Sequence, residues 1–248
     1  MNNPLISVIT ISYNAAETIT PTLHSVANQT FHDFEHIIID GLSKDDTIAI
    51  ARREGIPGLR ILSEKDNGIY DAMNKGLRIA TGQYVIFLNS GDTFATDDTL
   101  AHYAEAIETD RPDIIYADTV IVAPDRHILR PRHLSVPATL TRESFSHGML
   151  ICHQAFMVRR EIAPMYDTQY RFSADYDWCI RCIEATAPEK CRNLGNVEIH
   201  YLDEGATEQN KMTSLLERFD IMRHHYGLPT AVARHISFLP RAILRKLR

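Results

Sequence analysis

The sequence has few cysteines and no long apolar segment, and each shortage argues against a class of protein. None of its apolar runs approaches the 18 or more residues that cross a bilayer. The N-terminus, MNNPLISVIT, has no basic region ahead of its apolar stretch, so we expect no secretory signal and a cytoplasmic protein. In that compartment the four cysteines are expected to be reduced thiols, at Cys152, Cys179, Cys182 and Cys191.

Glycine-rich phosphate loops and ordinary metal motifs are also missing. Neither GxGxxG nor GxxxxGK[ST] occurs, and the 12 histidines form no HExxH pair. The CxxC at Cys179 and Cys182 lies inside a helical pattern, and its spacing to Cys191 and His200 fits no standard zinc finger. We therefore expect these cysteines to be small apolar core residues.

Positive charge is scarce over most of the chain and concentrated at its end. The net charge is −6, but residues 231–248 hold five Lys or Arg and no acid. The acidic remainder argues against nucleic-acid binding, which needs clustered cations. The apolar and basic residues of 231–248 interleave as in a helix that lies on an anionic membrane, although Pro240 would break or kink that helix. Packing on the domain or on a second subunit is the alternative.

Apolar runs and helical patterns alternate along the first hundred residues. The runs at 5–13, 34–40, 59–64 and 84–89 predict buried strands, and the segments between them predict helices. This alternation predicts an α/β fold with a doubly wound, mostly parallel sheet. Further strands are predicted at 113–122, 153–160 and 197–202, and helices at 174–186 and 207–225. The simplest organisation is one domain over 1–205 and a helical tail over 206–248.

Polar residues follow each of the first four predicted strands. Asn14, Asp40, the segment 64–66 and the segment 89–92 all occupy such ends. Ligands of doubly wound sheets bind beyond the carboxyl ends of the strands. Asp40 is suited to accept hydrogen bonds from a base or ribose, or it serves only the turn that follows.

Two segments around glycine and aspartate have both a structural and a functional interpretation. In EKDNGIYDAMNKG, the turn at Asp66 is accounted for as the start of a helix. Gly76 lies inside the helical pattern, where glycine is unfavourable, and indicates that another part of the backbone approaches closely. Lys75 would then project towards a ligand. In YVIFLNSGD, Asp92 either binds a divalent cation together with substrate phosphates or caps its loop.

Two acidic residues stand at the start of the helix predicted over 174–186. Asp175 and Asp177 either complement the helix dipole, or one of them acts as a general base. His153 is open to three interpretations, which are a catalytic group, a substrate ligand and a satisfied core residue.

Five segments in this order resemble the family 2 glycosyltransferases of the GT-A fold, especially the bacterial enzymes of capsule, O-antigen and colanic-acid-type exopolysaccharide synthesis. The segments are ISVITISYN, IIIDGLSKDDT, EKDNGIYDAMNKG, FLNSGD and SADYDW. The resemblance covers residues 4 to about 205. It implies a nucleotide-sugar-binding half over 1–112 and an acceptor-binding half over 113–205.

The resemblance also implies roles for individual residues. The donor nucleotide sugar would be bound by Tyr13, Asn14, Asp40, Asp66, Lys75, Asn89, Ser90 and Gly91. Mn²⁺ or Mg²⁺ would be held by Asp92, although Asn89 and Gly91 replace acidic residues that relatives often have. Asp175 would be the catalytic base, with Ala174 in place of the usual glutamate. The acceptor side would comprise His153, Gln154, Asp177 and Trp178.

The resemblance implies an inverting transfer from a UDP- or GDP-sugar to a saccharide or polyprenyl-linked saccharide acceptor, at the inner face of the cytoplasmic membrane. A sugar-nucleotide nucleotidyltransferase is the first alternative, but it would need a glycine-rich basic loop where SYNAAETIT stands. An inactive nucleotide-sugar or glycan binding module is the second.

Overall fold

The computed structural model describes residues 3–203 and 211–246, without the side chains of Lys211 and of 238–246. Within these residues the strands are β1 (Ile6–Ser12), β2 (Phe34–Asp40), β3 (Arg60–Ser63), β4 (Tyr84–Phe87), β5 (Thr93–Phe94), β6 (Ile114–Val122), β7 (Ile128–Pro131), β8 (Phe156–Arg159) and β9 (Cys191–Leu202). The helices are α1 (Ile19–Ala27), α2 (Thr47–Glu54), α3 (Ile69–Ile79), α4 (Thr99–Asp110), α5 (Ala174–Glu184), α6 (Lys211–Tyr226) and α7 (Leu228–Lys246).

All these strands join one mixed sheet, whose order is β3-β2-β1-β4-β8-β6-β9-β5, with β7 beside β6. The four strands of the first half are parallel to one another. Strand β8 then runs antiparallel to both β4 and β6 and joins the two halves. The predicted doubly wound, mostly parallel sheet is confirmed, and each of its antiparallel pairs includes a strand of the second half.

The first half follows the apolar pattern closely because its central strands β1 and β4 are buried on both faces. All seven residues of β1 are buried. Helix α3 packs so closely on the sheet that a Cβ added to Gly76 would lie 2.6 Å from Cγ2 of Ile9. The predicted close approach at Gly76 is therefore confirmed, and its partner is β1.

The second half contains elements that the apolar pattern does not predict. Helix α4 and the short strands β5 and β7 were not expected, and β9 begins at Cys191 rather than at 197. Cys179 and Cys182 are fully buried free thiols in α5, as expected of core residues.

Helices α6 and α7 form a hairpin that turns at Gly227. Helix α7 continues through Pro240 to Lys246, so the expected break at Pro240 is wrong. Its described apolar side chains include the exposed Leu228, Val232 and Ile236. Of the five Lys and Arg residues in 231–248, Arg234 is half-buried, and the side chains of the other four lie outside the described residues. Among the described helices, none combines the length and the apolar character that a membrane span requires.

Candidate active site

A cavity of about 530 Å³ opens between the two halves of the sheet. A volume of this size is ordinary for a small-molecule site. The end of β4, the turn before β8, the start of α5 and helix α6 all contribute to its wall. Six of the predicted site residues line it, namely Asn89, Ser90, Asp92, His153, Gln154 and Asp175.

The turn after β4 is fixed by contacts with its neighbours. The Ser90 amide donates to the carbonyl of Ile11, which places this turn beside the end of β1. Thr22 accepts from the Gly91 amide at 3.0 Å and donates to the Asp92 carbonyl at 2.7 Å. Gly91 has a φ of 101°, which favours glycine, and a Cβ there would lie 3.1 Å from Leu202. This conformation explains why Gly91 carries no acidic side chain.

Asp92 connects both halves of the protein although it is only 4% exposed. Its Oδ1 accepts the Leu202 amide at 3.0 Å, and its Oδ2 accepts Nε2 of Gln154 at 2.9 Å. Burial raises the pKa of Asp92 to about 7, and these two hydrogen bonds only partly oppose that effect. Near neutral pH its charge is therefore sensitive to whatever binds beside it.

The oxygen atoms around Asp92 fit a hard divalent cation. Asn89 Oδ1 and Ser90 Oγ are buried and have no hydrogen-bond partner, and both residues line the cavity with Asp92. Carboxylate, amide and hydroxyl oxygens, completed by substrate phosphates, are the donors that Mg²⁺ and Mn²⁺ accept. Within residues 3–203 and 211–246, no group of three or more Cys, His, Asp or Glu could hold a metal ion by itself.

Asp175 stands in the first turn of α5 and is half-buried in the cavity wall. The hydroxyl of Tyr70 donates to its Oδ1 at 3.0 Å. Burial and the charge of Asp175 raise the pKa of Tyr70 well above its usual range, so the phenol remains a donor. Sequence reasoning missed Tyr70, because 105 residues separate it from Asp175 and only the docking of α3 near α5 joins them.

His153 and Trp178 belong to an aromatic cluster beneath the cavity. The His153 ring stacks on Phe87, and its Nε2 is hydrogen bonded to the hydroxyl of Tyr166. Burial lowers the pKa of His153 to about 4, so the ring is neutral at physiological pH. Trp178 is fully buried, stacks on Tyr166 at 4.9 Å and donates to the carbonyl of Pro164. Only His153 of this pair reaches the cavity.

The structure does not bring Asp177 into the central cavity. Its carboxylate accepts from His225 Nε2 at 2.9 Å and from Arg181 Nε at 2.6 Å. Although burial acts in the opposite direction, these partners hold the pKa of Asp177 below its usual range. Asp177 thus fastens the α6–α7 hairpin to α5.

The predicted donor residues of the first three strands form a cluster of their own at the same edge of the sheet. Tyr13 is 60% exposed, and its ring lies with Asp66 against Gly41. Oδ1 of Asn14 accepts a hydrogen bond from the Lys44 amide, and the backbone amide of Asn14 donates to Ser43 Oγ. None of these residues lines the central cavity.

Asp40 and Lys75 are held by protein groups in this cluster. Asp40 is fully buried and accepts hydrogen bonds from Ser12 at 3.3 Å, Ser63 at 2.7 Å and the Ser43 amide at 2.9 Å. Lys75 Nζ lies 3.0 Å from Glu64 Oε1 and donates to the Lys65 carbonyl at 2.6 Å. Lys75 therefore supports the loop after β3.

Comparisons with known proteins agree with this geometry. The family model described as glycosyl transferase family 2 matches residues 7–164. A PGL/p-HBAD biosynthesis glycosyltransferase of Mycobacterium bovis is 35% identical over 196 residues, which cover 75% of this chain and 73% of that protein. The amylovoran biosynthesis glycosyltransferase AmsB of Erwinia amylovora is 30% identical over 191 residues, covering 71% of this chain and 62% of AmsB.

Solved structures share the fold at lower identity. S. aureus TarS in complex with UDP-GlcNAc gives a TM-score of 0.72 at 20% identity, covering 94% of this chain and 73% of that one. The mannosyltransferase PcManGT of Pyrobaculum calidifontis, in complex with GDP-Man and Mn²⁺, gives 0.64 at 19% identity, covering all of this chain and 80% of that one.

Proposed function

The chain belongs to glycosyl transferase family 2 and has the GT-A fold, and from this premise we propose that it transfers a sugar with inversion from a UDP- or GDP-sugar to a saccharide acceptor in surface polysaccharide synthesis. The observation that carries the proposal is one cavity that contains both the polar end of β4 and Asp175. Family membership favours this function over the nucleotidyltransferase alternative.

The donor side is proposed to be the half over 1–112. Its sugar diphosphate would lie at the turn after β4, and its nucleotide would extend towards the cluster that contains Tyr13, Asn14 and Asp66. Asp92, with the unpartnered oxygens of Asn89 and Ser90, would hold Mg²⁺ or Mn²⁺. Such a cation supplies positive charge that offsets the charge of the diphosphate. The solved relatives bound to UDP-GlcNAc and to GDP-Man with Mn²⁺ support this type of ligand.

The acceptor side is proposed to be the half over 113–205, and Asp175 is its base. Tyr70 donates to one oxygen of Asp175 and leaves the other to take the proton of an acceptor hydroxyl. The hydroxyl oxygen forms a bond to the anomeric carbon while the bond from that carbon to the diphosphate breaks, and the diphosphate leaves with the electron pair. His153, which is neutral, and Gln154 line the cavity and would contact the acceptor there.

The acceptor is proposed to be a lipid-linked saccharide, reached from the inner face of the membrane. The support is the exposed apolar side chains of α7 and the basic residues of 231–248. Co-sedimentation with anionic liposomes, with and without residues 231–248, tests this contact. Equal sedimentation of both proteins would contradict it.

The function is tested by turnover of a panel of UDP-, GDP- and TDP-sugars with Mn²⁺, first by donor hydrolysis and then with saccharide acceptors. We expect Asp175→Asn to bind the donor nucleotide normally and to lose transfer by roughly 10²- to 10⁴-fold, the usual contribution of a general base. Asp110→Asn, which alters an exposed carboxylate far from the cavity, is the control. Wild-type turnover by Asp175→Asn would refute the base assignment, and no turnover with any donor would favour a binding module.

A further inference from the structure

The central cavity is rich in arginine although the protein as a whole is acidic. Arg130, Arg132, Arg171 and Arg218 line it together with three carboxylates, those of Asp92, Asp175 and Asp203. Arg130 lies 3.4 Å from Asp203, and these two charges offset each other. Three arginines then remain against the two carboxylates of Asp92 and Asp175, so positive charge is in excess in the cavity.

Two of these arginines come from segments next to the proposed base. Arg171 lies four residues before Asp175, ahead of α5, and its exposed guanidinium group lies 5.8 Å from the centre of the Phe172 ring. Its backbone amide donates to Glu217 of α6 at 2.8 Å. Glu217 also accepts the Phe172 amide at 2.8 Å, so α6 is bound directly to the start of α5. Arg218 follows Glu217, and its charge acts on the Tyr70 hydroxyl that donates to Asp175. Both arginines thus line the same cavity as Asp175.

Neither arginine has an anionic partner in the part of the chain that the structure describes. No carboxylate of residues 3–203 and 211–246 forms an ion pair with Arg171 or Arg218. Nε of Arg218 is buried and donates to no acceptor. A buried donor without an acceptor costs about 1–3 kcal/mol. Because Arg218 lines the cavity, an acceptor atom of a bound ligand could supply the hydrogen bond that its Nε lacks.

We propose that Arg171 and Arg218 bind an anionic group of the acceptor, a phosphate or a carboxylate close to the hydroxyl that is glycosylated. This inference rests on the proposed function, because Asp175 marks the acceptor hydroxyl. The donor diphosphate is assigned to a different segment, the turn after β4. Guanidinium groups bind phosphate and carboxylate through paired, charge-assisted hydrogen bonds. The enzyme thereby selects acidic acceptors over neutral ones of the same shape.

The test is calorimetric titration of the full chain with its donor site filled by UDP or GDP. Inorganic pyrophosphate represents a phosphate-bearing acceptor, and glucuronate represents an acidic sugar. Wild type is compared with the double variant Arg171→Gln/Arg218→Gln and with the matched control Arg78→Gln, an exposed arginine of α3 away from the cavity. Each single variant is included in case the double variant does not fold.

We expect wild type and Arg78→Gln to bind one of the two anions, and the double variant to bind it at least tenfold more weakly with unchanged affinity for UDP or GDP. Binding of pyrophosphate alone identifies a phosphate, and binding of glucuronate alone identifies a carboxylate. The proposal is overturned if wild type binds neither anion, if the variants bind it equally, or if they lose the nucleotide instead. The proposal is also overturned if the arginine variants bind both anions as wild type does but sediment less with anionic vesicles, which would indicate a membrane contact.

Failure of this inference is distinguishable from failure of the proposed function. If neither UDP nor GDP binds wild type and no donor turns over, the proposed function fails. If a nucleotide binds and the arginine variants leave anion binding unchanged, only the acidic acceptor is refuted.

Discussion

Replacing Tyr70 by phenylalanine removes a single hydroxyl and leaves the ring in place. That hydroxyl donates to Asp175 at 3.0 Å, and the ring also stacks on Tyr166 at 5.7 Å. A hydrogen bond to a charged group contributes about 1.5–3 kcal/mol, which corresponds to roughly 10- to 150-fold in rate if all of it is felt in the transition state. Because Asp175 is half-exposed, water can replace part of the lost bond. We therefore expect kcat to fall about tenfold.

The assay is steady-state transfer with both substrates varied, together with thermal unfolding. A positioning role for Tyr70 predicts a lower kcat, an unchanged KM for the donor and an almost unchanged midpoint of unfolding. Tyr103→Phe is the matched control, because its hydroxyl is buried in the opposite layer and has no partner. An unchanged kcat in Tyr70→Phe, or an equal loss in Tyr103→Phe, would refute the reasoning.

Three further outcomes are expected. Gly76→Ala should lower the free energy of unfolding in urea by about 1–2 kcal/mol, because the new methyl group would overlap Ile9 by more than the gain in helix propensity offsets; an unchanged urea midpoint would contradict this. Burial lowers the pKa of His36 to about 4, so the folded protein keeps this ring neutral at pH values where the unfolded chain protonates it. The resulting contribution to the free energy of unfolding is complete above pH 6.5 and is lost as the pH falls towards 4. Between pH 7 and 4 the free energy of unfolding should therefore fall by about 3 kcal/mol less in His36→Gln than in wild type. Parallel plots of unfolding free energy against pH for the two proteins would contradict this. Mn²⁺ with UDP or GDP should raise the melting temperature of wild type but not of Asp92→Asn, and an equal rise in both would remove Asp92 from the metal site.

Strands β1, β2 and β4 were predictable because most of their residues are buried, on both faces of the sheet. Continuous apolar runs such as VIFL then identify strands without ambiguity, and β2 was predicted with its observed bounds. The short strand β5 has two residues, and all four residues of β7 are exposed. Strand β5 is too short, and β7 too exposed, to show an apolar pattern in the sequence. These strands are therefore defined only by their pairing with β9 and β6.

The candidate site was predictable where one short segment carries the chemistry and not where distant segments meet. Asp175 was predicted as a site residue because the sequence places it in the first turn of a helix. Asp177 was grouped with it, yet two positions along a helix amount to about 200° of rotation, which turns Asp177 towards His225. Tyr70, Arg171 and Arg218 come from α3, a loop and α6, and their convergence depends on packing that no local pattern contains.

The two hydrogen bonds of Asp92 have a thermodynamic consequence for the binding of both substrates. Its carboxylate touches the end of β9 and the turn before β8 at once, so any ligand that changes its charge alters bonds to both segments. If the donor binds at the turn after β4 and the acceptor binds beside Gln154, as proposed, both substrates act on the same carboxylate. By linkage, whatever factor the donor applies to the affinity for the acceptor, the acceptor must apply to the affinity for the donor.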